Sequence, residues 1–365
     1  SQSLSRNGST TEHYSYQYDS LGRMIHSREY SGNALAQATT YLYDTSNRLR
    51  EQTWTFDIGN GEYVDQSYSY SSSNDTLSQI AISGQFHGVS FAPTVRYNYN
   101  SLLQLTRRTT SVGGSDLFYR AFSYQAGAAT NQTTNLVRYM NYRKTDGSLL
   151  AGYMYTYDAN GNISGMYPSL AAGGVSATAA QTFSYDVQGQ LTGAAINGTT
   201  YVYSYDTAGN LRTMSDGTSS RDITLTYDTV WRDRLTSVKV GSGAAKSITY
   251  ETPVSGYLSG NPITYYNGAD YSFEWANGRQ LAKATKGSVT TQYTYDVAGV
   301  RSGKTVGSTA YTFETLSGLV VKQSWGGKKL WFIYDDNNQP YAMVYQQGSD
   351  WEPVIYYYAL NLQGD

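Results

Sequence analysis

Apolar and polar residues alternate with a period of two along most of this 365-residue chain. In Tyr155-Thr156-Tyr157-Asp158, for example, rings occupy every second position until an acidic residue ends the run. Because successive side chains of a β-strand point to opposite faces, this period predicts strands with one aromatic and one polar face. No long apolar stripe with the 3.6-residue period of a helix interrupts the pattern. The alternation therefore predicts an all-β fold.

The alternation is organised by one repeated motif, Tyr-x-Tyr-Asp-x-x-Gly. Four clear copies place its two tyrosines, aspartate and glycine at Tyr16, Tyr18, Asp19 and Gly22; at Tyr155, Tyr157, Asp158 and Gly161; at Tyr203, Tyr205, Asp206 and Gly209; and at Tyr293, Tyr295, Asp296 and Gly299. Looser copies have their acidic position at Asp44, Asp186, Asp228 and Asp335, and degenerate ones at Asn100, Glu251 and Glu314. A spacing of about 20 residues between neighbouring copies fits one hairpin of two strands and two turns per repeat.

Each residue type of the motif has a physical reason to be there. The two tyrosines share one face of a strand, and the aspartate carboxylate accepts hydrogen bonds from backbone N–H groups of a turn. The glycine supplies the positive φ that a tight reversal requires. We therefore predict tandem hairpins in one continuous sheet, with tyrosines of neighbouring repeats side by side on adjacent strands.

We interpret residues 1–365 as a single repeat array, because no change of composition marks a linker. Residues 1–150 carry the more degenerate copies of the motif, and residues 151–365 carry the more regular ones. The run of small residues from 171 to 180 has too little bulk to anchor a helix, so we predict a loop insertion there. The chain starts without a methionine, and we expect it to be a fragment of a longer polypeptide.

Composition sharpens this interpretation, because tyrosine is the dominant aromatic residue. There are 38 Tyr against 9 Phe and 6 Trp, and charged residues make up only 15%. A tyrosine ring covers apolar surface while its hydroxyl reaches water or a partner, which suits sheets that are wet on one face. The net charge of −2 gives no reason to expect a nucleic-acid partner. No run of about 18 apolar residues predicts a membrane span.

The residues that usually carry out catalysis are sparse or scattered. No cysteine is present, and His13, His26 and His87 lack metal-ligand spacing. Residues 158–162 and 335–338 contain oxygen ligands for calcium, yet Asp, Asn and Gly are also what tight turns need. A glycosidase carboxylate pair is the strongest enzyme alternative, but an active site is normally singular and these carboxylates repeat. We therefore predict no enzyme activity, no catalytic residue, no cofactor and no metal.

Several segments resemble RHS/YD-repeat proteins, and the resemblance covers almost the whole chain. Beyond the repeated motif, its most specific parts are residues 260–265, 273–281, 332–335 and 356–365, the last of which looks like the entry to the RHS core-associated region. The family is related to insecticidal toxin-complex proteins, bacterial wall-associated proteins and teneurins. The resemblance implies a large, curved sheet that spirals into a hollow β-shell, of which this chain would form part or all.

The resemblance implies a structural function. The chain is expected to be a non-catalytic region of a secreted or cell-surface bacterial RHS protein. Its partner would be a C-terminal toxin of the same polypeptide, outside these residues, which the shell encapsulates or presents. The alternative is a surface adhesin or wall-associated module that binds glycans through exposed tryptophans, for which core packing is the competing interpretation. The candidates are Trp54, Trp231, Trp275, Trp325, Trp331 and Trp351.

Overall fold

A computed structural model describes residues 2–6, 9–57, 61–129, 132–170, 180–252, 259–296, 298–349 and 351–365. Within these ranges the chain forms 31 β-strands and no α-helix, which confirms the predicted all-β fold. The predicted loop insertion at 171–180 lies, apart from Ala180, outside the described residues.

The strands form two large sheets, so the prediction of one continuous sheet is wrong. The first sheet contains β1 (Gln2–Arg6), β2 (Ser9–Tyr18), β3 (Met24–Ser31), β4 (Ala34–Tyr43), β5 (Leu49–Asp57), β6 (Glu62–Tyr70), β7 (Leu77–Phe86), β8 (Val89–Phe91), β9 (Pro93–Tyr99), β10 (Leu105–Val112), β11 (Ser115–Ala126), β12 (Thr133–Lys144), β13 (Leu149–Tyr157), β14 (Ile163–Leu170), β15 (Gln181–Tyr185), β16 (Leu191–Ile196), β17 (Thr199–Tyr205), β18 (Leu211–Ser215), β19 (Ile223–Tyr227), β20 (Leu235–Val240) and β21 (Lys246–Ser247). The second contains β22 (Thr264–Tyr266), β23 (Asp270–Ala276), β24 (Gln280–Lys286), β25 (Val289–Tyr295), β26 (Arg301–Val306), β27 (Thr309–Leu316), β28 (Leu319–Trp325), β29 (Lys328–Tyr334), β30 (Pro340–Gln346) and β31 (Val354–Tyr357).

The topology is a meander, because strands pair antiparallel with their neighbours in chain order. The exception is β7, which pairs with β8 through residues 84–86 and with β9 through residues 79–81. Between β21 and β22 the ladder is interrupted, and only an isolated antiparallel bridge of Tyr250 and Pro262 forms among the residues described there. This simple order is what a tandem array of hairpins requires.

A β-bulge beside the motif turn gives the sheet its curvature. In the β17–β18 hairpin, Ser204 faces Thr213 but Tyr205 faces Leu211, so Arg212 is an extra residue. The same register shift occurs at the second motif tyrosine of the other hairpins, as between β13 and β14 or β25 and β26. A bulge bends its strand and increases the right-handed twist. The repeats therefore introduce curvature at regular intervals.

The main hydrophobic core lies where the two sheets stack face to face. Val64 and Val95 of the first sheet and Val321, Ile333 and Val344 of the second are all fully buried in it. Burying an aliphatic side chain stabilises a fold by roughly 1.5–3 kcal/mol. This core therefore holds the β27–β30 region of the second sheet against the β5–β9 region of the first.

Buried ion pairs also connect the two sheets. Lys322 Nζ lies 3.2 Å from a carboxylate oxygen of Glu62 and 3.2 Å from one of Glu314. Arg108 contacts Asp335 at 2.7 Å, and both of these side chains are largely buried. Because an unpaired buried charge is costly, such pairs fix the position of one sheet on the other.

The last residues, 358–365, fold back across the first sheet, and we call them the C-terminal strap. Tyr142 in β12 donates its hydroxyl hydrogen bond to the carbonyl oxygen of Leu360 at 3.1 Å. The backbone N–H of Leu362 donates to Tyr155 Oη in β13 at 2.8 Å. The strap therefore lies on the aromatic face of the first sheet.

Candidate functional site

The repeat turn after β17 shows what the motif aspartate does. Asp206 Oδ1 accepts hydrogen bonds from the backbone N–H groups of Ala208 at 2.9 Å and Asn210 at 3.0 Å. Its Oδ2 accepts the side-chain amide of Asn210 at 3.1 Å. The backbone N–H of Gly209 donates to the carbonyl oxygen of Asp206 at 3.0 Å. These bonds satisfy turn groups that the strands leave unpaired.

The same arrangement recurs at the other motif turns. Asp19 Oδ1 accepts from Leu21 and Arg23, and Asp158 Oδ1 accepts from Asn160 and Asn162, all at 2.9 Å. Turns of this kind begin at Asp19, Asp44, Asn100, Asp158, Asp186, Asp206, Asp296, Asp335 and Asn361. The side-chain and backbone hydrogen bonds from Asn210 lower the pKa of the Asp206 carboxyl. The carboxylate is therefore the form that the turn stabilises.

The motif glycines all adopt the left-handed backbone conformation. Their φ angles are +77° at Gly22, +84° at Gly161, +87° at Gly209 and +84° at Gly299. The equivalent position of the turn after β4 is Asn47, whose φ is +64°. Asparagine tolerates this region better than other residues with a Cβ, which explains why the glycine is replaced there.

The second motif tyrosine couples each hairpin to the one before it, which the sequence pattern did not reveal. Tyr157 Oη donates to the carbonyl oxygen of Val137 at 2.7 Å, Tyr205 Oη to that of Leu191 at 2.9 Å. We call the full set the hydroxyl ladder. Its other pairs are Tyr43 with Met24, Tyr70 with Leu49, Tyr99 with Leu77, Tyr124 with Leu105, Tyr185 with Ile163, Tyr227 with Leu211, Tyr250 with Leu235, Tyr295 with Leu281 and Tyr334 with Val320. The sequence did contain a signal for the hydroxyl ladder, because many of the residues whose carbonyl oxygens accept these bonds are aliphatic residues five positions after a motif aspartate.

The prediction that tyrosines of neighbouring repeats lie side by side is wrong. Tyr203 faces Met214 across the hairpin, and Tyr205 faces Leu211. Each repeat contributes two strands, so the second strand of the hairpin separates successive strands that carry motif tyrosines, as β16 separates β15 from β17. Adjacent strands are about 4.8 Å apart, which keeps tyrosine strands about twice that distance from each other.

The first motif tyrosines have different surroundings in each repeat. Tyr155 is fully buried beneath the strap, and burial raises the pKa of its hydroxyl to about 12. Tyr203 is half-buried, and Tyr293 lies 4.4 Å below the guanidinium group of Arg301. Tyr16 is exposed at the start of the array, as is the second tyrosine there, Tyr18. The first motif tyrosines therefore occupy the same strand position in each repeat, but their burial and their contacts differ.

The described residues contain no group of three or more His, Cys, Asp or Glu side chains suited to a metal ion. His13 stacks on Tyr30 with ring centroids 4.2 Å apart, and His26 Nδ1 lies 3.2 Å from Thr40 Oγ1. The carboxylate of Asp335 is occupied by two turn N–H groups and by Arg108. The two histidines therefore take part in side-chain packing on the sheet, and Asp335 takes part in a turn.

The six tryptophans fall into four environments. Trp331 is fully buried and donates to Glu62 at 2.9 Å, so its candidacy as a glycan-binding residue is wrong. Trp325 stacks between Tyr311 and Tyr345, and Trp351 is 63% exposed. The remaining tryptophans line clefts of about 460 Å³ and 410 Å³, namely Trp54 in the first and Trp231 with Trp275 in the second.

Comparison with known proteins places these repeats among shell proteins. The family model of the teneurin YD-shell matches residues 4–357. Teneurin-1 of Homo sapiens is 32% identical over 188 residues, which cover 50% of this chain and 6% of that protein. Teneurin-4 of Homo sapiens is 28% identical over 216 residues, covering 57% of this chain and 7% of that protein. This chain therefore spans only a small part of the length of these relatives.

Among solved structures, the crystal structure of TcdB2-TccC3 covers 94% of this chain and 21% of its own, with a TM-score of 0.46 and 15% sequence identity. Among the described residues, no helix has the length and apolar character needed to cross a membrane.

Proposed function

Because this chain belongs to the teneurin YD-shell family, we propose that it forms a non-catalytic stretch of wall in the hollow shell of a secreted or cell-surface protein. The difference between the two faces of the repeat hairpins carries this proposal. In β17, Tyr203 and Tyr205 are half-buried, whereas Val202 and Ser204 on the other face are exposed. In the β5–β9 region, the face that carries Tyr68 and Tyr97 is the one that stacks on the second sheet. This distribution suits a wall with a sheltered inner face and a wet outer face.

In the finer form of this proposal, the shell belongs to a bacterial RHS protein and encloses or presents a C-terminal toxin of the same polypeptide. The C-terminal strap supports a position of this toxin on the inner side of the wall, because Tyr142 and Tyr155 hold the strap against the aromatic face. Any segment that follows residue 365 would then start on the inner side of the wall. The motif carboxylates support a structural role, since turn groups occupy their oxygens.

The test is protection of a downstream segment in the natural full-length polypeptide. Under native conditions, we expect the segment after residue 365 to resist a protease dose that degrades the same segment expressed alone. Weakening the contact between the sheets with Lys322→Met should make the segment digestible, because Lys322 pairs with a buried glutamate between the sheets. Equal digestion rates with and without the wall would contradict the enclosing function.

A further inference from the structure

A small cavity where the two sheets meet the C-terminal strap has no part in the wall function proposed above. It has a volume of about 20 Å³, which is room for one particle of about the size of a water molecule. Arg108 and Arg120 line it from the first sheet, Asp335 lines it from the second, and Tyr358 and Leu360 line it from the strap. We call it the strap cavity.

Arg120 in β11 is partly buried and has no carboxylate partner. Its Nε and Nη2 atoms donate to the sulfur of Met140 at 3.0 Å and 2.6 Å. Its guanidinium carbon lies 4.8 Å from the ring centroid of Phe122 and 5.3 Å from that of Tyr142. None of the ion pairs formed by the described residues includes Arg120. A thioether sulfur is a weak acceptor, so these contacts leave most of the charge uncompensated.

The two arginines of the strap cavity differ in how their charge is compensated. Burial lowers the pKa of the Arg120 guanidinium, which means that its surroundings disfavour the cation. Burial acts in the same direction at Arg108, but Tyr97 and Asp335 outweigh it and raise the pKa of that guanidinium. Both arginines stay charged at neutral pH. Two cations and one carboxylate therefore line the cavity, which leaves one positive charge without a counter-ion.

The strap cavity also meets hydrogen-bond donors that have no acceptor. Arg120 Nη1 has none among the described residues, and it is not sealed from a water-sized particle as Trp54 Nε1 and Arg234 Nε are. The hydroxyl groups of Thr110 and Tyr341, both buried and both lining the cavity, share one hydrogen bond of 3.0 Å. Because only one of these two hydroxyls can donate in that bond, the other O–H is left over. A particle in the cavity therefore meets donors and a positive charge.

We propose that the strap cavity binds one small monovalent anion of the size of chloride, which accepts hydrogen bonds from Arg120 and from the Thr110–Tyr341 hydroxyl pair. A water molecule satisfies the donors but leaves the charge, and an uncompensated charge away from water costs more than an unpaired neutral donor. The cavity is too small for phosphate or sulfate. The site goes beyond the wall function and exists whether or not the shell encloses a cargo.

The position of the anion gives it a second effect. Tyr358 and Leu360 of the strap line the same cavity, and the backbone N–H of Leu362 is bonded to Tyr155 in the first sheet. An anion in the cavity therefore stabilises the docked strap, because it binds only where strap and sheet meet.

Thermal melts of the 365-residue chain in sodium chloride and in sodium gluconate of the same ionic strength test the ligand. Gluconate is too large to enter the strap cavity, whereas ionic screening is the same in both salts. We expect chloride to raise the melting temperature by about 1–3 °C, with an effect that saturates as the concentration rises. Equal melting temperatures in the two salts at every concentration would overturn the proposal.

Two substitutions test the location. Arg120→Met replaces the guanidinium by an apolar side chain, so the difference between chloride and gluconate should disappear, whatever the stability of the variant itself. Arg138→Met is the matched control, because Arg138 is an exposed arginine in the neighbouring strand β12, and it should keep the full difference. A folded Arg120→Met variant that still responds to chloride would contradict the site.

Bromide locates the anion in the unmodified protein, and this measurement decides if Arg120→Met does not fold. Crystals grown in sodium bromide should give an anomalous scattering peak within hydrogen-bonding distance of Arg120 Nη1. Hydrogen exchange at the Leu362 amide should also be slower in chloride than in gluconate. A bromide peak only on the outer surface, or no peak at all, would overturn the proposal.

Discussion

The hydroxyl group of Tyr205 donates a 2.9 Å hydrogen bond to the carbonyl oxygen of Leu191, which lies in the preceding hairpin. Backbone pairing between β16 and β17 ends at Gly193 and Val202, short of Leu191. The tyrosine hydroxyl therefore satisfies a carbonyl group beyond the point where the backbone ladder stops. Because the same bond recurs along the chain, the hydroxyl ladder couples successive hairpins into one wall.

Removing one bond of the hydroxyl ladder should cost measurable stability. We expect Tyr205→Phe to lower the free energy of unfolding by about 0.5–1.5 kcal/mol, because the carbonyl of Leu191 loses its donor. Urea unfolding followed by circular dichroism measures this difference. Tyr18→Phe is the matched control, since Tyr18 holds the same motif position but is 54% exposed and makes no hydroxyl bond within the described residues. Equal losses in the two variants would mean that the bond adds nothing.

The motif glycine should tolerate asparagine but not valine. Gly209 has a φ of +87°, a region in which a β-branched residue is strained. We expect Gly209→Val to destabilise the protein by about 1–3 kcal/mol. Gly209→Asn should cost less, because Asn47 and Asn338 occupy equivalent positions with φ of +64° and +57°. Thermal melts of both variants check this order, and an unchanged melt for Gly209→Val would refute the role assigned to the glycine.

The charge on the motif aspartate should make the turns sensitive to acid. Hydrogen bonds from Asn210 lower the pKa of the Asp206 carboxyl below its ordinary value of about 3.9. Such a group contributes stability above pH about 4, and the contribution is lost as the pH falls through the lowered pKa. Asp206→Asn keeps the turn acceptor without the charge. The melting temperature of the wild type should exceed that of the variant at pH 6, and the gap should shrink at pH 3. A melting-temperature difference that does not change with pH would show that the charge of the Asp206 carboxylate does not cause it.

The buried ion pair between the sheets should be far more sensitive than exposed pairs. Lys322→Met leaves Glu62, which is 1% exposed, without its cation. We expect a loss of about 3–5 kcal/mol in unfolding free energy, with partial recovery when Glu62→Gln is added. Lys283→Met is the control, because the partner of Lys283 is the exposed Glu274, and it should cost at most about 1 kcal/mol. If Lys322→Met and Lys283→Met lowered the unfolding free energy by similar amounts, the buried ion pair would contribute no more to stability than the exposed one.

The sequence predicted the local structure well, because local structure follows from local chemistry. The period of two residues identified the strands, and Tyr-x-Tyr-Asp-x-x-Gly located hairpin turns such as the one at Asp206. The bulge at Arg212 was not predicted, since a register shift depends on how the two strands pair. The tyrosine arrangement was predicted wrongly because the second strand of each hairpin was not counted as a spacer.

Contacts between distant repeats could not be read from the sequence. Lys322 and Glu62 are 260 positions apart, and no motif links them. The full burial of Trp331 depends on the same stacking of two sheets, which a repeat pattern does not encode.

The enclosing wall is tested most directly by the accessibility of its two faces. The chain contains no cysteine, so single cysteines report cleanly in a version of the natural polypeptide that carries no other. Ser204→Cys samples the exposed face of β17, and Tyr203→Cys samples the aromatic face. A small maleimide should modify both positions, whereas a maleimide attached to a bulky polyethylene glycol should modify only Ser204→Cys until the protein is unfolded in urea. Equal native labelling of both positions by the bulky reagent would contradict a wall with an enclosed aromatic side.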